Sequence, residues 1–427
     1  MKKTDIKYST YLNILEEELI PAMGCTEPIA IAYAAAKARD ILGDIPERIL
    51  LQISGSIIKN VKSVIVPNTG KMKGIPAAAI AGIVAGKSDL GLEVLSVVTE
   101  DDKMKIKDYL DKIRIDIEHI EDGPVFDIII TEFKGTSYSK VRISDHHTNI
   151  VLTEKDHQVI MKKDETKKAD SKETKADRKQ LTIEDIWDFA NSVEIADVTA
   201  LLDKQISYNM AIAEEGLRGD YGANIGKVLM SANGNDIKNR AKALAAAGSD
   251  ARMNGCEMPV VINSGSGNQG ITCSVPVIEY AKELNVTNEK LYRALVLSNL
   301  VAIHEKTGIG TLSAYCGAVS AGAGAGAGIA YLCGGDYQDI IHTIVNSLAI
   351  VSGIVCDGAK ASCAAKIAAS VDAAIFGYQM YKNGQEFKSG DGIVMHDVES
   401  TIDGIGCLGR DGMRETNEEI IRLMISN

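Results

Sequence analysis

"KKDETKKADSKETKADRKQ", residues 162–180, contains no aromatic and no branched aliphatic residue and mixes both signs of charge throughout. Such a run cannot bury enough apolar area to offset the entropy of ordering it, and reads as a linker or a solvated helix. It is the sharpest composition change in the chain, and the patterns on either side differ in kind. The expected fold is therefore α+β: a mixed α/β lobe over 1–161, the charged linker over 162–180, and a predominantly helical lobe over 181–427.

Working outward toward the N-terminus, "STYLNILEEELIPAMG" and "EPIAIAYAAAKARDILG" carry helical patterning, the second with Gly43 as an expected C-cap. "RILLQISGSI" and "KSVIVPN" predict short strands, and "GIPAAAIAGIVAG" a helix of small residues. "FDIIITEF", "SYSKVRIS" and "NIVLTEKDHQVIM" predict strands joined by tight turns. Toward the C-terminus, five segments beginning at Thr182, Asn235, Asn288, Tyr337 and Lys366 show helical periodicity. Glycine-rich breaks interrupt them at "NSGSGNQGITCSVP" (263–276) and "CDGAKAS" (356–362). With 5% aromatic residues, the helical core must be built from closely packed small and aliphatic side chains.

A chain of 427 residues has room for two or three domains, or two lobes sharing one site. The net charge of −12 argues against a broad nucleic-acid face, because binding phosphates needs clustered Lys and Arg. No uninterrupted apolar run follows the first lysines, so the N-terminus does not read as a secretion signal and a cytoplasmic protein is expected. Between Lys306 and Asp336 no residue is charged, which is long enough to span a bilayer. That apolarity comes mostly from Gly and Ala, which favour close helix packing over insertion, so no membrane span is expected. Oligomeric state is not written in the sequence, and a homo-oligomer is compatible with all of this.

Eight cysteines are present and no CxxC pair, which removes the usual support for zinc-ribbon or thioredoxin-type readings. In a reducing compartment disulfides are not expected, and most free cysteines serve as small buried hydrophobes. Cys356 and Cys363 lie 40 and 47 residues beyond Cys316. On a continuous helix the seven residues between the later two would separate them by about 10.5 Å, awkward for one compact centre. Gly358 makes an interruption plausible, so spacing leaves both core packing and a metal centre open. Cys25, in "AMGCTEPIAIAYAAAK", falls at a helix start, where Thr26 or Glu27 can cap and Pro28 suits the first turn. Unpaired amides and the helix dipole favour an anion there, and could bring a thiol from about 8.5 toward neutrality. A nucleophile or base and a small residue at a tight turn are both consistent with this segment.

Four motifs carry a resemblance: "PAMGCTEPIAIAYAAAK" (21–37), "ISGSIIKNVKSVIVPNTGKMKGIPAAAIAG" (53–82), "NSGSGNQGITCSVPV" (263–277) and "GIVCDGAKASCAAKIAASVDAA" (353–374). Across nearly the whole chain, least in the charged linker, the sequence resembles the L-cysteine desulfidase family of the iron–sulfur serine dehydratase superfamily. The resemblance implies a [4Fe-4S] cluster held by Cys316, Cys356 and Cys363, leaving one iron with an open position, and Cys25 as catalytic base. It implies a small amino-acid substrate and the reaction L-cysteine + water → pyruvate + ammonia + hydrogen sulfide. Cys256, Cys273, Cys333 and Cys407 match no ligand position and are expected to pack.

Stabilising a carbanion also requires preorganised donors. Candidates in the glycine-rich turns are Ser54, Asn60, Asn68, Thr69, Ser264, Asn268 and Gln269, with Asp357 and Lys360 beside the later cysteines. Turn-forming Ser and Asn also serve structure alone. Lys59 or Lys62 could take the substrate carboxylate or stand solvated on the surface, and His304 reads as a hydrogen-bonded core histidine. Three alternatives stand beside the desulfidase reading: an iron–sulfur L-serine dehydratase, a pyridoxal-phosphate lyase using Lys59 with "SGSGNQG", and a non-enzymatic sensor that uses the cluster as a switch. Since Cys25 precedes the linker and the other three cysteines follow it, the active site is expected between the two lobes.

Overall fold

Period-two burial organises the N-terminal part of the chain. Ile49, Leu51 and Ile53 on one strand, Ile128 and Ile130 on the next, and Val141 and Ile143 on a third are all buried, with more exposed residues between them. The structure, a computed structural model, describes residues 1–163, 176–310 and 312–425. Most of the expected linker, 164–175, thus lies outside the described residues.

The fold is α+β, with a sheet region near the N-terminus and a helical C-terminal part. The first elements are α1 (Ile6–Glu18), β1 (Pro21–Met23), α2 (Thr26–Leu42), β2 (Arg48–Ser54), α3 (Gly55–Val61), α4 (Gly74–Ala85) and α5 (Glu100–Leu110). The rest of the sheet follows as β3 (Arg114–Ile120), β4 (Asp127–Lys134), β5 (Ser137–Ser144), β6 (Ile150–Lys155) and β7 (Gln158–Lys162). Strand order is β3-β2-β4-β5-β6-β7, parallel between β2 and β3 and antiparallel elsewhere. The alanine-rich α2 packs on β4 and β5, and α4 packs on α2. Gly43 ends α2 at φ 84, in the left-handed region that spares it a Cβ clash.

Beyond the sheet the helices are α6 (Ile183–Ser192), α7 (Ile195–Arg218), α8 (Ile225–Asn233) and α9 (Ile237–Met253), then, after β8 (Pro259–Val261), α10 (Gly267–Glu283). They continue through α11 (Asn288–Ile309), α12 (Gly317–Leu332), α13 (Tyr337–Val351), α14 (Ser362–Lys382), α15 (Val398–Cys407) and α16 (Arg414–Ile425). The uncharged Gly/Ala segment forms α12, which packs against α10, α11, α13 and α14. Its glycines let backbones touch: a Cβ on Gly324 would lie 2.5 Å from the Ser298 carbonyl oxygen. Among the described residues no helix is long and apolar enough to cross a membrane.

Three expectations are corrected. "KSVIVPN" is not a strand: apart from an isolated bridge between Ile65 and Lys73, it is a tight loop closed by Val66 N–H to Met72 O and Gly74 N–H to Val64 O. The glycine-rich break at 263–276 ends at Ser266; α10 starts at Gly267 and carries Pro276 inside it, because burial against α9, α11 and α12 outweighs propensity. Helix α1 does not share the core of the sheet region. Its Tyr8, Tyr11, Ile14 and Leu15 lie in the helical core, and β1 pairs antiparallel with β8.

Candidate active site

The β1–β8 pairing brings the start of α2 beside the start of α10. Cys25 is the N-cap residue of α2, extended at φ −83 and ψ 132, and is 3% exposed. The thiol Sγ donates to Glu27 Oε2 at 3.1 Å; Thr26 Oγ1 also donates to Glu27 Oε2 at 3.1 Å, and Asn60 Nδ2 to Glu27 Oε1 at 3.0 Å. Burial, then the neighbouring Glu27 charge, pushes the Cys25 thiol well above its usual range, outweighing Arg252. The expectation that the helix start depresses it is therefore corrected: an enclosed thiol beside a carboxylate keeps its proton. Burial alone would raise Glu27 too. His147, the Cys25 hydrogen bond, its own backbone amide and Arg252 together hold its carboxyl below the usual range.

The later cysteines converge by a different route. An isolated bridge pairs Tyr315 with Val355, with Cys316 N–H on Ile354 O at 3.1 Å and Cys356 N–H on Ala314 O at 2.6 Å. Cys316 then opens α12, and Cys363 sits in the first turn of α14. Gly358, at φ 97, turns the loop between them against α3, where a Cβ would lie 2.2 Å from the Lys59 carbonyl oxygen. The close pairing of Cys316 with Cys356 pushes the Cys316 thiol up and the Cys356 thiol down, the latter against its burial and helped by Lys59 and Lys306. Burial lowers both lysines, Lys306 to about 8, against the pull of the two thiols. Burial pushes Cys363 up.

Cys25, Cys316, Cys356 and Cys363 line one cavity of about 600 Å³, together with Glu27, Asn60, His147, Arg252 and Lys306. Of the expected polar candidates, Asn60, Ser264, Asn268 and Gln269 also line it. The remaining five do not. Ser54 bonds Val125 O and faces an adjoining cavity of about 800 Å³ that no cysteine lines. Asn68 and Thr69 hold the loop at Leu95 O and Val66 O, and Asp357 pairs with Lys360 and Lys366. Lys59 is 1% exposed and donates to Cys356 O and Asn417 Oδ1, so it is no surface lysine; Lys62 is exposed. His304 bonds Glu399 at 2.7 Å. All eight cysteines are free, and Cys333 and Cys407 are exposed, which corrects the expectation that they pack.

Does this set of donors suit an iron–sulfur group? Among the described residues no three His, Cys, Asp or Glu side chains converge tightly enough for a single ion. A multinuclear cluster asks for something else: soft thiolates spread around it, each bound to its own iron. Three cysteines lining one cavity, near the buried Lys59 and the half-buried Lys306 whose charges offset those of thiolates, fit that requirement.

Residues 89–422 match the family described as "Serine dehydratase alpha chain". The chain belongs to that family. Full-length similarity extends to UPF0597 proteins: 60% identity with one from Desulfitobacterium hafniense, over 100% of this chain and 99% of the relative. One from Lachnoclostridium phytofermentans is 52% identical over 98% and 100%, and one from Treponema denticola 47% identical over 99% of each. Membership in the serine dehydratase alpha chain family makes the protein a dehydratase-type lyase, of a family that is iron–sulfur dependent and binds a small amino-acid substrate. Sequence reasoning had not assigned roles to four of the site residues. Glu27 was read only as a cap, Lys306 only as the edge of the uncharged segment, and His147 stood in the turn "SDHHTN". Arg252 lies in the last turn of α9, after its alanine-rich stretch; a charge at the buried end of that helix, two residues after Asp250, was the signal available.

Proposed function

We propose that the protein is an L-cysteine desulfidase: L-cysteine loses hydrogen sulfide to give aminoacrylate, which tautomerises and takes up water to yield pyruvate and ammonia. One observation carries the reading: Cys25 lines the same cavity as Cys316, Cys356 and Cys363. Those three would hold a [4Fe-4S] cluster, which when bound supplies a Lewis acid for developing negative charge. Cys25 acts as base. In its thiolate form Cys25 takes the substrate α-proton, while Glu27, held below the usual carboxylate range, orients the sulfur and does not take its proton. Enclosure serves this chemistry, since the α-proton moving to Cys25 does not compete with bulk water.

L-Serine dehydration is the second reading, favoured by the family description itself. It is the same elimination with water as the group lost. Anaerobically purified protein given each amino acid, with pyruvate and sulfide quantified, tests both. Pyruvate and sulfide from cysteine are expected; pyruvate from serine with none from cysteine would overturn the choice.

A further inference from the structure

We infer that Arg252 anchors the α-carboxylate of the amino acid in this cavity, an inference that rests on reading the cavity as an amino-acid site. Arg252 is 3% exposed, at the C-terminal end of α9. Its Nη1 donates to Asn268 Oδ1 at 3.2 Å, its Nε has no partner, and among the described residues no carboxylate forms an ion pair with it. Leaving a guanidinium buried without an anion is expensive, and a planar carboxylate satisfies its fork of donors. The surroundings make room for that. A Cβ on Gly267 would lie 2.3 Å from Arg252 Nε, so glycine is what lets the guanidinium lie against the start of α10. The N-cap Ser266 forms no side-chain bond with the first amides there, and the helix start adds an anion-favouring field.

Two of the other unpartnered buried atoms of the cavity, which also include His147 Nε2, have complementary character. Asn60 Oδ1 and Gln269 Oε1 are acceptors without donors. For Asn60 that orientation is set by Nδ2, which donates to the Glu27 carboxylate. Unfilled donors at Arg252 and unfilled acceptors at Asn60 and Gln269 are the complement of a zwitterion, a carboxylate on one side and an ammonium on the other.

The test uses ligands that lack a leaving group, so binding is read without turnover. Full-length protein is titrated calorimetrically with L-alanine and with L-alaninamide, which keeps the ammonium and loses the carboxylate charge. Wild type is expected to favour L-alanine by at least tenfold. Arg252→Gln should weaken L-alanine by about 10- to 150-fold, the range for losing a charge-assisted hydrogen bond, and the amide less than roughly twofold. Asn268→Asp keeps the arginine and offers it an internal carboxylate, so L-alanine binding should fall to the level of the amide even if Arg252→Gln fails to fold. Equal weakening of both ligands, an unchanged Asn268→Asp protein, or a wild type that does not discriminate overturns the anchor. Turnover separates this from the elimination reading. Protein that releases pyruvate but shows no Arg252-dependent discrimination loses only the anchor; protein that discriminates but releases none loses only the elimination.

Discussion

Cys25 and Glu27 form a pair in which the carboxylate both receives the thiol's hydrogen bond and raises its pKa. Cys25→Ser is therefore expected to lower kcat by roughly 10²–10⁴-fold, the usual worth of a positioned base, with iron content unchanged. Glu27→Gln removes the charge that opposes thiolate formation and the carboxylate that orients the sulfur together. Alkylation of Cys25 by iodoacetamide should then reach half-maximal rate at a lower pH than in wild type, while kcat falls. An alkylation profile displaced to higher pH would contradict the sign of the Glu27 effect. Cys356→Ala should abolish bound iron and acid-labile sulfide in anaerobically prepared protein; an unaltered cluster would remove Cys356 from the ligand set. At this scale the sequence was readable for the cysteines, which stand in long motifs. It was opaque for Arg252 and His147, whose roles depend on what faces them across the cavity.

Among the elements, α12 and β4 carry the sharpest constraints. The glycines of α12 are contact surfaces, so Gly324→Val should destabilise the protein by about 1–3 kcal/mol or more, since the Ser298 carbonyl has nowhere to go. Urea unfolding measures it. On β4, Glu132 stands opposite Ile49 on the buried face of the sheet, fully enclosed, with no partner for either oxygen among the described residues. Burial pushes its carboxyl well above the usual range. The native state therefore keeps this proton over a pH range where the unfolded chain has lost it, and stability falls as pH rises through that range. Glu132→Leu should stabilise by about 1–3 kcal/mol near neutral pH, with the gain shrinking toward about pH 4. A gain that grows on acidification would contradict this account. Helix and strand periodicity identified most of these elements, but "KSVIVPN" has strand residues in a loop and α10 has loop residues in a helix. In both, tertiary hydrogen bonds and burial overrode local preference.

For the molecule as a whole, the N-terminal segment is one of the contacts that join the sheet region to the helices, beside those of α3 with the Gly358 loop and α16. Tyr11 is fully buried in the helical core, donates to Gln180 O and accepts from Thr182 N–H. Tyr11→Ala should cost about 3–5 kcal/mol and loosen helices far from it in sequence, an effect visible in their amide exchange. The same segment continues through β1 into Cys25, so the packing of α1 is coupled to the position of the base.

The sequence by itself determined the class of fold, the helical lengths of the small-residue segments and the cysteines worth watching, because periodicity, glycine placement and motif order are local properties of the chain. Only the tertiary structure decided that four cysteines from three distant segments share one cavity. It also decided that burial and Glu27 raise the Cys25 thiol and that, among the described residues, no carboxylate forms an ion pair with the buried Arg252. Burial and charge proximity are set by chain segments hundreds of residues apart, and no local pattern encodes which of them will meet.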